Sequence, residues 1–430
     1  MTGLRSGALG IVVGGGPAPG INAVIGAATI RACLEGVPVI GIRDGFEHVM
    51  RGDTSRTMPL TIDAVSRIHF RGGSLLGISR ANPCTDSRVI ETTLQSLRAM
   101  GITRLITIGG DGTASAAMTL EAASGATGPI AVVHVPKTID DDLDLPSGID
   151  TFGYQTARHV GVEIVKNLMV DGKTTSRWYF VETAGRTAGH LALGIGKAAG
   201  ATLTLISEEF DRPIRLRLLV DTLAGAIIKR LCDGRRDGVA ILAEGLAHNV
   251  VPEDLAGLHH AGVDAYGQLR VADINIAEIL RTHVIARLRE LGLAVSIGAK
   301  SVGYELRCAD PIPFDMEYAR DLGACAAMHV LAGGTAEMIS MQGGRFVPVS
   351  FDSMADPATG RARARLVDVT SARYQIARRY MIRLRPEDMD DEGQLARLAR
   401  AVGLSPGEFI AQFGDAVRAP EPLAPRGEFA

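Results

Sequence analysis

Aromatic residues are scarce in this chain: they make up 4% of its 430 residues, with a single Trp. Proteins that bind single-stranded nucleic acid stack bases on aromatic side chains, so this scarcity argues against such a surface. An excess of charge is also missing, because 45 Lys and Arg stand against 48 Asp and Glu, for a net charge of −3. We therefore expect no nucleic-acid or membrane partner, and any basic site to be local.

Paired cysteines and long apolar runs are missing as well. The five cysteines are odd in number, scattered and without a C-x-x-C pair, which is typical of reduced thiols and indicates no zinc site. No run of about 18 apolar residues occurs. The apolar N-terminal stretch has one early Arg and is broken by the glycine-rich segment 14–17, unlike a signal peptide. These absences predict a cytoplasmic protein with no membrane span.

The residues that are present have the proportions of an ordinary globular protein. Hydrophobic residues make up 46% of the chain and charged residues 22%, and the length suffices for about two or three domains. Runs typical of strands alternate with runs typical of helices, as in 178–181 followed by 189–199. This alternation predicts an α/β fold with parallel sheets.

Three consecutive aspartates, Asp140, Asp141 and Asp142, are the most unusual feature of the chain. They follow the apolar run 130–135, which predicts a buried parallel strand, and doubly wound sheets bind ligands at the carboxyl ends of their strands. Adjacent carboxylates repel each other and are best tolerated beside a divalent cation, a bound hydroxyl or an Arg. For an isolated triplet, a solvated acidic turn that caps the next helix is the alternative.

A turn rich in glycine follows the first predicted strand. Residues 8–13 predict the strand, 14–20 the turn and 21–25 the start of a helix. The backbone N–H groups of such a turn, with Gly15 and Gly16 near its centre, can bind an anion because the helix dipole is positive there. A tight connection with no ligand is about as common.

Two further glycine-rich segments continue this pattern. The loop 71–80 ends in Arg80, which matters only if the loop returns to the first turn. The segment 109–113 reads GGDGT after another predicted strand, and turn geometry alone does not require three glycines around one acid. We expect Asp111 to hold Mg²⁺, and Thr113 to cap the next helix and contact phosphate.

In order along the chain, these motifs resemble those of the phosphofructokinase family, which has ATP-dependent and pyrophosphate-dependent members. The matching positions extend from Gly10 to about Leu384. They are the segments 15–20, 109–113 and 136–142, then Arg177, Gly185 with Arg186, Glu244 with Gly245, and the segment 303–307.

The resemblance implies two Rossmann-like three-layer α/β domains with mainly parallel sheets and an active site in the cleft between them. The expected phosphoryl-donor-binding domain comprises 1–151 and 306–358, and the expected sugar-phosphate-binding domain comprises 152–305 and 359–417. Residues 418–430 are Pro-rich and predict a frayed tail. The family also implies a homodimer or homotetramer.

The reaction implied by the resemblance is phosphoryl transfer to the 1-hydroxyl of fructose 6-phosphate, giving fructose 1,6-bisphosphate, as in glycolysis. Asp140 matches the catalytic base, and Arg186 matches the cation that offsets charge on the transferring group. Thr138 matches a residue that contacts this group, and Lys137 precedes it in the same catalytic motif. For an Arg outside such motifs, a surface ion pair would be the simpler interpretation.

The binding residues come from the same motifs. Guanidinium groups suit the 6-phosphate through forked hydrogen bonds, and Glu244 suits sugar hydroxyls. The implied substrate-binding residues are Thr138, Asp140, Arg177, Ala184, Gly185, Arg186, Glu244, Tyr304 and Arg307. The implied donor-binding residues are Gly15, Gly16, Arg80, Gly110, Asp111, Gly112 and Thr113. Asp111 and Asp142 would hold the Mg²⁺ that bridges the donor phosphates.

Three positions depart from the common pattern of the family. Asp141 replaces the usual Asn, and its charge should raise the pKa values of neighbouring carboxyl groups unless Lys137 compensates it. Ala184 stands where most members have Met. Tyr304 stands where short bacterial enzymes have His, as in the pyrophosphate-dependent and long ATP-dependent branches.

Two positions give opposite indications about the phosphoryl donor. Pyrophosphate-dependent members usually carry Asp at the position of Gly112, where a carboxylate would repel the α-phosphate of a nucleotide; Gly112 leaves room. Lys137, however, is the residue of those same members, where ATP-dependent bacterial enzymes have Gly. Gly with Lys is the combination of a long ATP-dependent branch, so we expect ATP, with pyrophosphate as the alternative.

Two other classes of protein remain to be compared. A dinucleotide-dependent dehydrogenase would use the first glycine turn and Asp44 after the second predicted strand, but both aspartate-containing motifs would then have no role. A regulatory subunit without catalytic activity would lose Asp140, Asp111 or Arg186, and all three are present.

Overall fold

The computed structural model describes residues 7–125, 128–146, 148–255, 274–354 and 363–417. Its strands are β1 Ala8–Val13, β2 Val39–Ile42, β3 Thr57–Leu60, β4 Ile102–Gly109, β5 Ala131–Thr138, β6 Phe152–Gly153, β7 Trp178–Thr183, β8 Leu203–Leu205, β9 Gly238–Ala243, β10 Ile297–Val302, β11 Glu337–Met338, β12 Met341–Gln342, β13 Arg345–Phe346 and β14 Val349–Ser350.

The α-helices are α1 Ile21–Leu34, α2 Ile62–Val65, α3 Ser87–Ala99, α4 Asp111–Ser124, α5 Tyr154–Thr175, α6 His190–Ala199, α7 Leu216–Cys232, α8 Gly245–Asn249, α9 Pro252–Leu255, α10 Ile276–Glu290, α11 Tyr304–Arg307, α12 Pro313–Leu331, α13 Phe351–Met354, α14 Ala372–Tyr380, α15 Pro386–Asp390, α16 Glu392–Ala401 and α17 Pro406–Val417. Within the described ranges, no helix is long and apolar enough to cross a membrane.

The chain divides into two compact units. Unit 1 comprises Met1–Ala157 and Tyr304–Arg365, and unit 2 comprises Arg158–Gly303 and Leu366–Ala430. The boundaries lie a few residues from those expected, and α5 carries the chain across the first of them. The two units differ in which parts of the chain pack together, which says nothing about what each unit binds. The donor-binding and sugar-phosphate-binding roles of the two domains therefore stay predictions. The predicted tail, 418–430, lies outside the described residues.

Unit 1 is built on an eight-stranded sheet in the order β14-β11-β5-β4-β1-β2-β3, with β6 paired to β5. The pairings among β1, β2, β4 and β5 are parallel, whereas β3 and β14 add antiparallel edges. Alternate residues of β1 enter two separate apolar clusters. One cluster includes side chains of α1 and α12 and the other includes side chains of α3 and α4, so helices cover both faces of the sheet.

Unit 2 is built on a four-stranded, fully parallel sheet in the order β10-β7-β9-β8. Its central strands are mostly buried, β9 is apolar throughout, and Trp178 at the start of β7 is fully buried. A Cβ at Gly238 of β9 would lie 2.6 Å from the Trp178 ring, so only glycine lets the indole fit. The predicted α/β class with mainly parallel sheets is confirmed.

The predicted strand 130–135 is longer than expected. It continues to Thr138, because Lys137 and Thr138 pair with β6 and Pro136 lies opposite the last residue of β4. The three aspartates therefore leave the sheet directly at the end of β5.

Candidate active site

The first glycine-rich turn and the loop that ends at Arg80 lie together at the end of β1. The N–H of Gly14 donates to Ile108 O and that of Gly15 donates to Ser79 O, each at 2.9 Å. Gly15 has a φ of 85°, a left-handed conformation that favours glycine. The loop therefore does return to the turn, and it carries the exposed Arg80 there.

The second turn, between β4 and α4, packs against the first through Thr113. A Cβ at Gly14 would lie 2.4 Å from Thr113 Oγ1, and one at Gly109 would lie 2.2 Å from Thr113 Cβ. The two glycines thus make room for this buried side chain. The prediction that Thr113 caps the helix is wrong, because α4 begins at Asp111 and its N-cap, Gly110, has no side-chain cap bond.

His134 of β5 was not singled out by its sequence, although it is a polar residue within an apolar run. It is fully buried, with Nδ1 2.8 Å from Thr107 Oγ1 and Nε2 3.0 Å from Gly109 O. Burial lowers the pKa of the imidazole to about 3, so the ring is neutral. A carbonyl only accepts, which places the proton on Nε2 and leaves Nδ1 to accept from Thr107. His134 thus holds the carbonyl that precedes the second turn.

Lys137 joins the first turn to the carboxylates. Its side chain is 4% exposed, and Nζ donates to the carbonyl of Gly16. Burial lowers the pKa of the ammonium group to about 8, against the effect of three neighbouring carboxylates. The charged side chains that act on it are those of Asp140, Asp142, Arg307 and Asp111. Four of the predicted site residues therefore lie near enough to a fifth, within unit 1, for their charges to act on it.

Thr138 forms hydrogen bonds with two of the three consecutive aspartates, Asp140 and Asp142. Its hydroxyl accepts from the Asp140 N–H at 3.0 Å and donates to the carboxylate of Asp142. Burial and then the negative charge of Asp111 raise the pKa of Asp142. The two predicted metal ligands are thus near enough to repel each other.

Asp141 points away from this group. Its backbone is left-handed, with φ 57°, and its buried carboxylate accepts from the Thr151 N–H at 3.0 Å and contacts Arg365 Nη2. The cation that lies against this charge is Arg365, and not Lys137, which the sequence analysis named as the residue that could compensate it. Arg365 is more than 200 residues away in sequence, in no motif, and sequence reasoning missed it.

Tyr304 and Arg307 lie on the short helix α11 of unit 1. The guanidinium carbon of Arg307 lies 5.5 Å from the centre of the Tyr304 ring, in reach of a cation–π interaction. The ring is 87% exposed. The Tyr304 ring therefore helps to hold the Arg307 side chain in place. The positive charge of Arg307 lowers the pKa of Lys137.

A second group of predicted residues lies in unit 2, at the carboxyl ends of β7 and β9. Gly185 adopts φ 128°, and its carbonyl accepts from the Gly245 N–H at 3.0 Å. Ala184 is buried beside it. Arg186 Nε lies 3.2 Å from Glu244 Oε1, so the tight turn brings the predicted cation to the predicted hydroxyl acceptor.

Glu182 of β7 is a buried acid near this group that sequence reasoning missed. Its carboxylate accepts from the Ala277 N–H at 3.3 Å, at the start of α10. Burial raises its pKa to about 7, and the charge of Glu244 adds to the effect.

The family model described as phosphofructokinase matches residues 8–330. The chain belongs to the phosphofructokinase family. It is 49% identical over 407 residues to a Thermotoga maritima protein named pyrophosphate–fructose 6-phosphate 1-phosphotransferase, covering 93% of this chain and 96% of that one. A Naegleria fowleri protein of the same name is 45% identical, covering 94% of each chain.

Solved phosphofructokinases share the fold. A structure titled pyrophosphate-dependent phosphofructokinase from Nitrosospira multiformis matches with a TM-score of 0.65 at 17% identity, covering 92% of this chain and 91% of that one. The Saccharomyces cerevisiae enzyme matches with a TM-score of 0.64 at 19% identity over 96% of this chain. This chain covers 50% of the yeast chain. At these identities the likeness concerns the fold alone.

The expected preference for ATP is wrong on these comparisons, because both of these phosphofructokinase relatives are named for pyrophosphate. That expectation depended on the combination of Gly112 with Lys137, in which Gly112 leaves space for a nucleotide. The space exists, because an added Cβ would meet nothing within 4 Å. Open space permits a nucleotide but makes no contact that binds one, so it could not decide the donor.

Of the predicted substrate-binding residues in unit 2, Arg177 is the one that does not lie with the Arg186 group. It precedes β7, whereas Arg186 follows it. A six-residue strand separates its ends by roughly 20 Å at about 3.3 Å per residue. Arg177 instead forms a hydrogen bond with Tyr179 near the start of the strand.

The carboxylates of unit 1 fit a magnesium ion bound jointly with phosphate. Among the residues that the structure describes, no group of three or more His, Cys, Asp or Glu side chains could hold a metal ion. Asp111 and Asp142, however, form an oxygen-donor pair whose mutual repulsion a cation would relieve. Mg²⁺ is commonly bound by one or two carboxylates together with substrate phosphates and water.

Proposed function

We propose that this chain is a pyrophosphate-dependent fructose 6-phosphate 1-phosphotransferase. The observation that carries the choice of donor is the 49% and 45% identity, over nearly the whole chain, to two proteins of that name. The position of Lys137 supports it, because a buried ammonium group beside the glycine turn suits a small, highly charged anion.

In the proposed reaction, the 1-hydroxyl oxygen of fructose 6-phosphate forms a bond to one phosphorus of pyrophosphate. The bond from that phosphorus to the bridging oxygen breaks, and orthophosphate leaves. Asp140 takes the hydroxyl proton, and the Thr138 hydroxyl, bonded to the Asp140 N–H, keeps the base in place. Positioning of this kind and charge compensation account for most of the catalysis in phosphoryl transfer.

The positively charged residues would bind the two substrates and compensate the charge of the transferring group. Lys137, together with the glycine turn and Arg80, would bind the pyrophosphate, while Arg307 and Tyr304 would bind the sugar phosphate. Arg186 would offset the charge on the transferring phosphoryl group. Glu244, which Arg186 contacts, would accept hydrogen bonds from sugar hydroxyls.

Asp111 and Asp142 would hold Mg²⁺. When bound, this ion would neutralise charge on the phosphate oxygens and orient them. A homodimer or homotetramer remains the expected assembly.

A donor comparison tests the proposal. Purified protein, fructose 6-phosphate and Mg²⁺ are combined with either pyrophosphate or ATP, and formation of fructose 1,6-bisphosphate is followed in a coupled assay. We expect turnover with pyrophosphate, and reversal with orthophosphate, at a kcat/KM at least about 100-fold above that with ATP. Efficient turnover with ATP and none with pyrophosphate would refute the proposal.

Two lysine variants show whether the donor site is as described. Lys137→Met removes the buried ammonium group and should raise the KM for pyrophosphate about 10- to 100-fold, the value of one charge-assisted hydrogen bond. Lys166→Met is the matched control, because Lys166 is 56% exposed and paired with Glu163 on α5. It should behave like the wild type.

A further inference from the structure

The charge on Asp141 needs a partner that the motif around it does not supply. The carboxylate is 3% exposed, and a buried charge is costly unless it is paired and hydrogen-bonded. Lys137, the nearest cation in sequence, interacts with the aspartates on either side of Asp141. The countercharge comes from Arg365, whose side chain is 17% exposed.

Arg365 also binds the backbone within the aspartate run and in the loop after it. Nε and Nη2 donate to Asp141 O at 3.3 and 3.2 Å, and Nη1 donates to Ile149 O at 2.7 Å. Its own N–H donates to Asp142 O at 2.8 Å. The planar guanidinium thus fixes the start and the end of the loop that follows β5, which a single point charge could not do.

The contacts of Asp141 continue to the strand that carries Thr138. The Asp141 carboxylate accepts from the Thr151 N–H, and the Thr151 hydroxyl donates to Thr138 O at 2.7 Å. Thr138 in turn binds the N–H of Asp140. A continuous set of hydrogen bonds therefore runs from Arg365 to the backbone of the proposed base.

We propose that Arg365 is a positioning residue for phosphoryl transfer: by neutralising Asp141 and binding the loop backbone, it holds Asp140 and Asp142 in their working orientation. This inference rests on the proposed function, in which Asp140 is the base. In this proposal Arg365 acts through Asp141 and the loop backbone. Its effect should therefore appear in turnover more than in substrate affinity.

The chain offers a matched control for this ion pair. Arg363, two residues earlier, binds the Asp144 carboxylate through Nε at 2.9 Å, but the side chains are 47% and 34% exposed. Exposed pairs contribute little, whereas breaking a buried pair leaves an uncompensated charge. Arg363→Met should therefore retain wild-type kinetics.

The test measures kcat and both KM values for Arg365→Met, each variant being assayed well below its measured Tm. We expect kcat to fall about 100-fold, with the KM for fructose 6-phosphate within about threefold of wild type. Asp141→Asn in the Arg365→Met background removes the buried charge that Arg365 balances in the wild type, so the double variant should recover about tenfold in kcat. If Arg365 served folding alone, Arg365→Met would lower the Tm, but kcat would not fall at a nearly constant KM. Adding Asp141→Asn would then not restore kcat.

If Arg365→Met does not fold, Arg365→Lys takes its place. It keeps the charge but cannot bind Asp141 O and Ile149 O together, so kcat should fall about tenfold. A wild-type kcat in Arg365→Met or in Arg365→Lys would overturn the inference. So would a kcat of the Arg365→Met, Asp141→Asn double variant that is no higher than that of Arg365→Met. Wild-type enzyme inactive with both pyrophosphate and ATP would instead refute the proposed function. The ratio of variant to wild type tests Arg365 whichever donor is used.

Discussion

The two groups of predicted site residues differ in how they are held. In unit 1, Lys137 and Thr138 are buried and take part in hydrogen bonds that join the first glycine-rich turn, β5 and the loop that follows it. In unit 2, Arg186 is 47% exposed and contacts Glu244 through one ion pair. The first group is fixed before any substrate binds, whereas the second can rearrange around one.

Burial also changes how strongly each charged group interacts with its neighbours. Charges in a low-dielectric interior interact strongly and are screened little by salt, while exposed pairs contribute at most about 1 kcal/mol. Substitutions in the unit 1 group should therefore change turnover or stability. Substitutions of Arg186 should change the handling of substrate and leave the free energy of unfolding nearly unaltered.

The largest effect is expected at the proposed base. Asp140→Asn keeps the shape of the side chain but removes the proton acceptor, so kcat should fall by a factor of about 10² to 10⁴ with a modest change in KM. Steady-state kinetics measure this. Asp144→Asn, at a partly exposed acid on the same segment, is the control. Near-wild-type turnover of Asp140→Asn would remove the base from the mechanism.

His134 should make the stability of the protein depend on pH. Its pKa is about 3 in the folded protein, against an ordinary value of 6.5 for histidine, so the unfolded chain binds the proton first. The free energy of unfolding should therefore fall as pH drops below about 6.5. At about 1.4 kcal/mol per pH unit, the loss at pH 4 is about 3 kcal/mol.

Urea unfolding at pH 7.5 and pH 4, compared between wild type and His134→Gln, isolates this contribution, because Gln does not titrate. The control is His69→Gln, at a partly exposed histidine. An equal loss of stability in wild type and His134→Gln would show that His134 is not held as a neutral ring.

A smaller effect is expected in unit 2. Arg186→Gln should lower kcat/KM for fructose 6-phosphate about 10- to 100-fold, the value of one charge-assisted hydrogen bond, with an unchanged Tm. Arg397→Gln breaks a comparable exposed pair with Asp233, at 2.9 Å, and should change neither quantity. A lowered Tm for Arg186→Gln would mean that the Arg186 group contributes to the stability of the fold, as the buried group of unit 1 is expected to do.

The smallest effect is expected at Gly112. An added Cβ there meets open space, so Gly112→Ala should keep kcat/KM for pyrophosphate within about threefold and favour the helix slightly. Gly109→Ala would place its Cβ 2.2 Å from Thr113 Cβ and should destabilise the protein by at least about 1–3 kcal/mol. Equal Tm values for the two variants would contradict this assignment of space.

Local patterns in the sequence sufficed for the α/β class and for the positions of the turns. Apolar runs bounded by glycine predict β1 and β4, and the start of α1 at Ile21 coincides with the end of the glycine-rich turn. These features depend on neighbouring residues, because strand burial and turn conformation act over a few positions of the chain. The motifs proposed to bind the reacting groups lie in the same short segments.

What only the tertiary structure decided depends on residues far apart in the chain. Arg365 meets Asp141 because two distant segments pair, and His134 is neutral because β4 and β5 enclose it. Arg177 and Arg186 are nine positions apart yet lie at opposite ends of one strand. Electrostatic compensation, burial and the direction of a strand arise from packing, and a linear pattern of residue types carries none of them.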